Sequence, residues 1–103
     1  VKTIKDFEYS FNHVKQRLLE RYNIKIDIDE YIVMNSVIKI YREDIKHFKP
    51  IAVDNNGDQE VWIYKGLKEV IQVVFSVSKR RITTVLNTLP EREYIKQKKH
   101  RVR

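Results

Sequence analysis

The sequence predicts one α+β domain: two N-terminal helices packed on a four-stranded antiparallel β-meander, followed by a basic C-terminal tail. Three observations predict it. Apolar residues recur at three- and four-residue spacings as far as Ile45. Beyond Pro50 the apolar period shortens to two. The segments that follow lie too close together for parallel crossovers, so they pair antiparallel. A chain of 103 residues, 42% apolar, fits one compact core, here residues 1–89, with 90–103 as the tail.

The first helix is expected over Ile4–Tyr22, where Phe7, Phe11, Val14, Leu18 and Tyr22 fall on one stripe. Neither Gly nor Pro interrupts it, and Asn23, which tolerates a left-handed backbone, is the expected stop. Its start is open among Thr3, Asp6 and Ser10, each of which can cap a helix. A second helix is expected after Asp27, because Asp27 and Glu30 have capping-box spacing. Tyr31, Met34, Val37, Ile38, Tyr41 and Ile45 form its apolar face, and Pro50 ends any helix before it.

The strands follow in order. Ile51–Val53 is a short strand, and Asn55-Asn56-Gly57-Asp58 is a turn, since Asn and Gly accept positive φ. Glu60–Tyr64 is the second strand, rich in aromatic and β-branched residues, and Gly66 marks the next turn. Trp62 and Tyr64 read either as core or as base-stacking aromatics. Glu69–Val77 is the longest strand, with Ile71, Val73, Phe75 and Val77 on one face. Ser78–Arg80 turns the chain and Arg81–Leu86 returns it. Pairing Val77 with Ile82 sends Ile82, Thr84 and Leu86 to the core. Arg81, Thr83 and Val85 then share an open face with Gln72, Val74 and Ser76.

Charge narrows the partners. Lys and Arg number 21 against 14 Asp and Glu, a formal net charge of +7 with a pI near 9.7. Such a surplus concentrates polyanions, with nucleic acid the default and an anionic membrane or acidic protein the alternatives. No apolar run is long enough to cross a bilayer, and Val1–Ser10 lacks a signal-peptide pattern, so a soluble, cytoplasmic protein is expected. Cysteine is absent, which removes disulfides, thiolate metal sites and cysteine nucleophiles. His13, His47 and His100 lie in unrelated segments, and P-loop, calcium-loop and dinucleotide fingerprints are missing. Neither a metal nor a cofactor is expected.

Two clusters carry candidate chemistry. His13, Arg17 and Arg21 stand at i, i+4 and i+8, a ladder that flanks the apolar stripe of the first helix. An imidazole can move a proton and a guanidinium can grip a phosphate, so the ladder suits phosphodiester chemistry; a solvated helix face has the same spacing. The second cluster is Arg81, Thr83, Gln72 and Ser76 on the sheet, with Lys79 and Arg80 at the adjoining turn; ordinary polar alternation also describes it. In the tail, Lys98, Lys99 and Arg101 belong to a basic run suited to a nucleic-acid backbone or to a solubilising end.

Residues 7–89 resemble the barnase–EndoU–colicin–RelE-like superfamily of small ribonucleases, nearest to its phage- and toxin-associated, RelE/BrnT-type branch. The resemblance rests on His13-Val14-Lys15-Gln16-Arg17-Leu18-Leu19-Glu20-Arg21, the Ile51–Tyr64 hairpin, and Val73-Val74-Phe75 followed by Arg81-Ile82-Thr83-Thr84-Val85-Leu86. It implies metal-independent RNA cleavage by the substrate's own 2′-hydroxyl. His13 would transfer the proton, Arg17 and Arg21 would stabilise the phosphorane, and Thr83 and Arg81 would orient the phosphate. Lys79, Arg80, Arg81, Lys98, Lys99 and Arg101 would bind RNA, and an acidic antitoxin or immunity protein would be the natural partner. No Glu stands plainly as a partner base. Two further readings use the same sequence: a non-catalytic module that grips nucleic acid or inhibits a host protein, and an adaptor that pairs through a sheet edge.

Overall fold

The computed structural model describes residues 2–87, with side chains from Ile4 onward. Helix α1 spans Lys2–Tyr22 and α2 spans Ile28–Glu43. α1 stops where Asn23 turns to φ 55°, with its N–H donating to the Leu19 carbonyl at 3.1 Å. Asp27 opens α2 with a complete capping box. The Glu30 N–H donates to Asp27 Oδ1 at 2.8 Å, and the Asp27 N–H donates to Glu30 Oε1 at 3.1 Å. α2 ends before Pro50 is felt: the Asp44 N–H closes on the Ile40 and Tyr41 carbonyls, and a turn carries the chain through His47. Ile45, expected on the apolar face, is therefore 70% exposed. Phe48 instead folds back onto Tyr41, ring centroids 4.2 Å apart.

Strands β1 (Ala52–Val53), β2 (Gln59–Tyr64), β3 (Ile71–Ser76) and β4 (Arg81–Val85) form one antiparallel sheet in the order β1-β2-β3-β4. Gly57 at φ 73° makes the first hairpin turn, while Asp54 Oδ1 accepts from the Asp58 and Gln59 N–H groups. Both helices pack on the sheet face that carries Trp62, Ile71, Val73, Phe75, Ile82 and Val85, and Val14, Leu18, Tyr31, Met34 and Ile38 complete the core. Each such side chain, fully buried, contributes about 1.5–3 kcal/mol. Trp62 and Tyr64 are core residues, 3% and 5% exposed, rather than exposed stacking platforms. The Trp62 indole donates to Glu60 Oε1 at 3.0 Å, and Arg42 Nε reaches the same oxygen at 2.7 Å from α2. All six residues of β3 are buried: Ile71, Val73 and Phe75 in the core, and Gln72, Val74 and Ser76, expected to be open to solvent, on the opposite face at 7%, 6% and 2% exposure.

The last hairpin departs from the expected register. Phe75, not Val77, faces Ile82, and Ser76 faces Arg81. A bulge then shifts the ladder, so that Thr84 faces Val74 and Val85 faces Val73. Thr83 is left as the extra residue. Across it the alternation resets: Ile82 and Val85 both enter the core at 0% exposure, while Thr84 turns away from it.

Candidate functional site

β4 is an edge strand, and its outer groups need partners. The helices provide them. Tyr31 donates through its hydroxyl to the Ile82 carbonyl at 2.5 Å, and Asn35 Oδ1 accepts from the Ile82 N–H at 2.7 Å. Further along, Arg21 donates to the Val85 carbonyl and the Tyr22 hydroxyl donates to the Leu86 carbonyl at 2.8 Å. Burial pushes the Tyr31 phenol up from its ordinary range, which keeps it a proton donor. α1 is thereby clamped along β4, and the seam between them gathers most of the candidate site.

His13, Arg17 and Arg21 each precede a core residue of α1, Val14, Leu18 or Tyr22, and all three are half-buried at the border of the helix. Their surroundings differ. His13 Nε2 lies 3.0 Å from Thr84 Oγ1, joining residues 71 positions apart in sequence. The Tyr9 ring runs nearly parallel to the imidazole, 9° between planes with centroids 6.5 Å apart. Arg17 pairs with Glu20 Oε1 at 3.1 Å within the helix. Gln16 also donates to Glu20, and that hydrogen bond, followed by the Arg17 charge, holds the Glu20 carboxyl below its usual range against some desolvation. An exposed i,i+3 pair of this kind is screened by solvent and weak, so a phosphate can compete for Arg17 at small cost. Arg21 is occupied by the Val85 carbonyl and positions the seam.

The second cluster separates along the strand. Thr83, the bulge residue, directs its hydroxyl toward the Val74 carbonyl at 3.5 Å and makes no hydrogen bond to His13; Thr84 takes that place. Arg81 is buried, 8% exposed, with Nε donating to Ser10 Oγ at 3.0 Å and a terminal nitrogen donating to the Lys79 carbonyl at 3.3 Å. Lys79 and Arg80 are exposed on the turn. Lys98, Lys99 and Arg101 lie outside the described residues. Residues 88–103 hold six Lys or Arg against two Asp or Glu, more than half of the chain's net surplus.

Sequence reasoning missed Thr84, Ser10 as a partner for Arg81, and Asn35. A signal existed for Asn35, since a polar residue four positions after Tyr31 inside an apolar stripe calls for a buried partner. None existed for Thr84, whose placement follows from the bulge. Among the described residues no three His, Cys, Asp or Glu side chains cluster to hold a metal ion, and no helix is long and apolar enough to cross a membrane. Compared with family models, curated proteins and solved structures, the chain matches none of them.

Proposed function

We propose that this chain is a metal-independent endoribonuclease, a toxin or phage effector acting in the cytoplasm, with His13 as its proton-transfer group. The observation that carries the reading is the 3.0 Å contact between His13 Nε2 and Thr84 Oγ1, which fixes an imidazole at a border lined by Arg17. When Nε2–H donates to Thr84, Nδ1 holds the lone pair and serves as base. Nδ1 takes the proton of the 2′-hydroxyl, O2′ attacks the adjacent phosphorus, and the P–O5′ bond breaks with a solvent proton going to O5′. Arg17 leaves Glu20 to stabilise the phosphorane charge. On this reading an acidic antitoxin or immunity protein would neutralise the basic surface.

A second reading, a module that binds nucleic acid without cutting it, is favoured by the engagement of Arg21 and Arg81 with protein oxygens. One experiment separates the two. Structured RNA is incubated with the protein in EDTA, and fragment ends are examined. Cleavage to cyclic-phosphate ends is expected for the wild type, with a loss of about 10²–10⁴-fold in His13→Gln, which can still hydrogen-bond Thr84 but cannot transfer a proton at neutral pH. Wild-type cleavage by His13→Gln would remove His13 from the chemistry, and intact RNA with the wild type would leave the binding module.

A further inference from the structure

Nearly two turns of α1 before His13, at Phe7, the seam opens into a groove of about 270 Å³ between the helices and the last hairpin. Phe7 and Ile32 give it an apolar lining, with Asn35 and Ser36 beside them. Its charged lining comes from three separate elements: Lys39 from α2, Lys79 and Arg80 from the hairpin turn, and Arg81 from β4. Among the described residues no acidic side chain lines it. Arg81 is pinned by Ser10 and by the Lys79 carbonyl, so its charge is fixed in place before any ligand arrives. Asp58, a carboxylate whose charge reaches Lys79, is itself held by the Ser78 N–H at 2.8 Å and the Ser76 hydroxyl at 3.2 Å.

We infer that this groove is a phosphate subsite for single-stranded RNA, holding the phosphate that neighbours the one presented to His13. Ser10 bonds Arg81 and His13 bonds Thr84, and these helix positions differ by three residues, about 4.5 Å of axial rise. A strand lying along the seam meets the groove and the imidazole in succession. Phosphate sits among Lys39, Lys79, Arg80 and Arg81, while Phe7 and Ile32 offer an apolar surface to the sugar or base. The inference rests on the reading of RNA as ligand but not on cleavage.

The test uses fluorescently labelled single-stranded 2′-O-methyl RNA, which has no free 2′-hydroxyl and cannot be cut, so its outcome is independent of His13 chemistry. Affinity is measured by anisotropy across a range of KCl concentrations. Lys39→Gln/Lys79→Gln is compared with Lys25→Gln/Lys68→Gln, an equal loss of charge at a separate groove that also contains Glu30. The first pair is expected to lower the slope of log affinity against log salt by about 1.4, at about 0.7 per lost phosphate contact, and the second to leave it unchanged. Lys39→Arg/Lys79→Arg, which keeps the charge, is expected to retain the slope. Equal losses in both Gln pairs, no loss in the groove pair, or loss in the Arg pair would each overturn the subsite.

Discussion

Arg80 occupies a conformation that arginine disfavours, and replacing it should raise stability while weakening RNA binding. Its φ of 57° lies in the left-handed region, where a Cβ crowds the following carbonyl at a cost of about 1–2 kcal/mol. Glycine escapes that crowding but loses about 0.5–1 kcal/mol through its freer unfolded chain. Arg80→Gly should therefore gain roughly 0.5–1 kcal/mol, because the structural bond made by residue 80, its N–H donating to the Ser76 carbonyl at 2.8 Å, belongs to the backbone and survives. For a domain of this size that corresponds to a rise of roughly 2–8 °C in Tm. The same change removes one cation from the groove and should reduce the salt slope of 2′-O-methyl RNA binding by about 0.7. Thermal melting followed by circular dichroism reads the first effect and anisotropy the second. Arg80→Asn, which tolerates the same angle, should reproduce both. A fall in Tm would refute the strain argument, and an unchanged slope would take Arg80 out of the groove. Stability and binding moving in opposite directions is the mark of a residue that local backbone preference alone would not select.

Other perturbations probe the clamp and the turn. Asn35→Leu leaves the buried Ile82 N–H without its acceptor and should cost about 1–3 kcal/mol in urea unfolding; a change within about 0.5 kcal/mol would mean that the Ile82 N–H finds another partner. Asp58 is held below the usual aspartate range chiefly by the Ser78 N–H, then by the Ser78 and Ser76 side chains and the Lys79 charge. A depressed folded-state pKa stabilises the fold above the unfolded value, about 4, and that contribution is lost as pH falls through the folded value. Asp58→Asn should thus be less stable than wild type at neutral pH, with the gap closing below about pH 4. A gap that stays constant from neutral to acid pH would show that the carboxylate charge plays no part.

The fold was legible where local chemistry decides it. Asp27 and Glu30 announced the start of α2, Asn23 the end of α1, and Gly57 its turn, because capping and positive φ depend on residues within a few positions. The alternation in Glu60–Tyr64 and Glu69–Val77 placed β2 and β3, the latter shorter at both ends as Ile71–Ser76, and their pairing register runs without a break. The end of α2 was harder to read, since Ile45 continued the apolar spacing while the Asp44 N–H and the following turn ended the helix. The greater loss came at β4. A bulge at Thr83 is a tertiary outcome: moving Val85 into the core buries a Val where the unshifted register would bury Thr84 with its hydroxyl. That preference depends on what lies beneath the strand and is invisible in Arg81-Ile82-Thr83-Thr84-Val85 alone. His13, Arg17 and Arg21 were correctly placed beside the apolar stripe by their spacing, but which of them faces a carbonyl, a hydroxyl or a helix neighbour depends on β4. Lys39 carried no local signal, because its relation to Lys79 and Arg80 exists only once α2 packs over the last hairpin.

Charge at the seam divides into two kinds, and the division decides which substitutions can speak about function. Arg21 and Arg81 satisfy protein oxygens, the first at the outer edge of β4 and the second between α1 and the turn. Removing either takes a donor away from acceptors at the seam and loosens the clamp that sets His13 against Thr84. Loss of RNA cleavage or binding in Arg21→Ala or Arg81→Ala would therefore follow from a displaced helix whether or not the guanidinium meets a phosphate. Among the described residues Arg17 is held only by an exposed pair with Glu20, while Lys39, Lys79 and Arg80 line an open groove. Their substitution changes the field that a polyanion meets with little effect on the packing beneath. The neutral members of the clamp, Tyr22, Tyr31 and Asn35, carry the strand edge through hydroxyl and amide groups. Because that work is done without charge, the surface cations at the rim remain available to a ligand. A ligand-dependent effect of Arg17, Lys39 or Lys79 at constant Tm, or of Arg80 with Tm raised, is thus the kind of result that bears on what the seam binds.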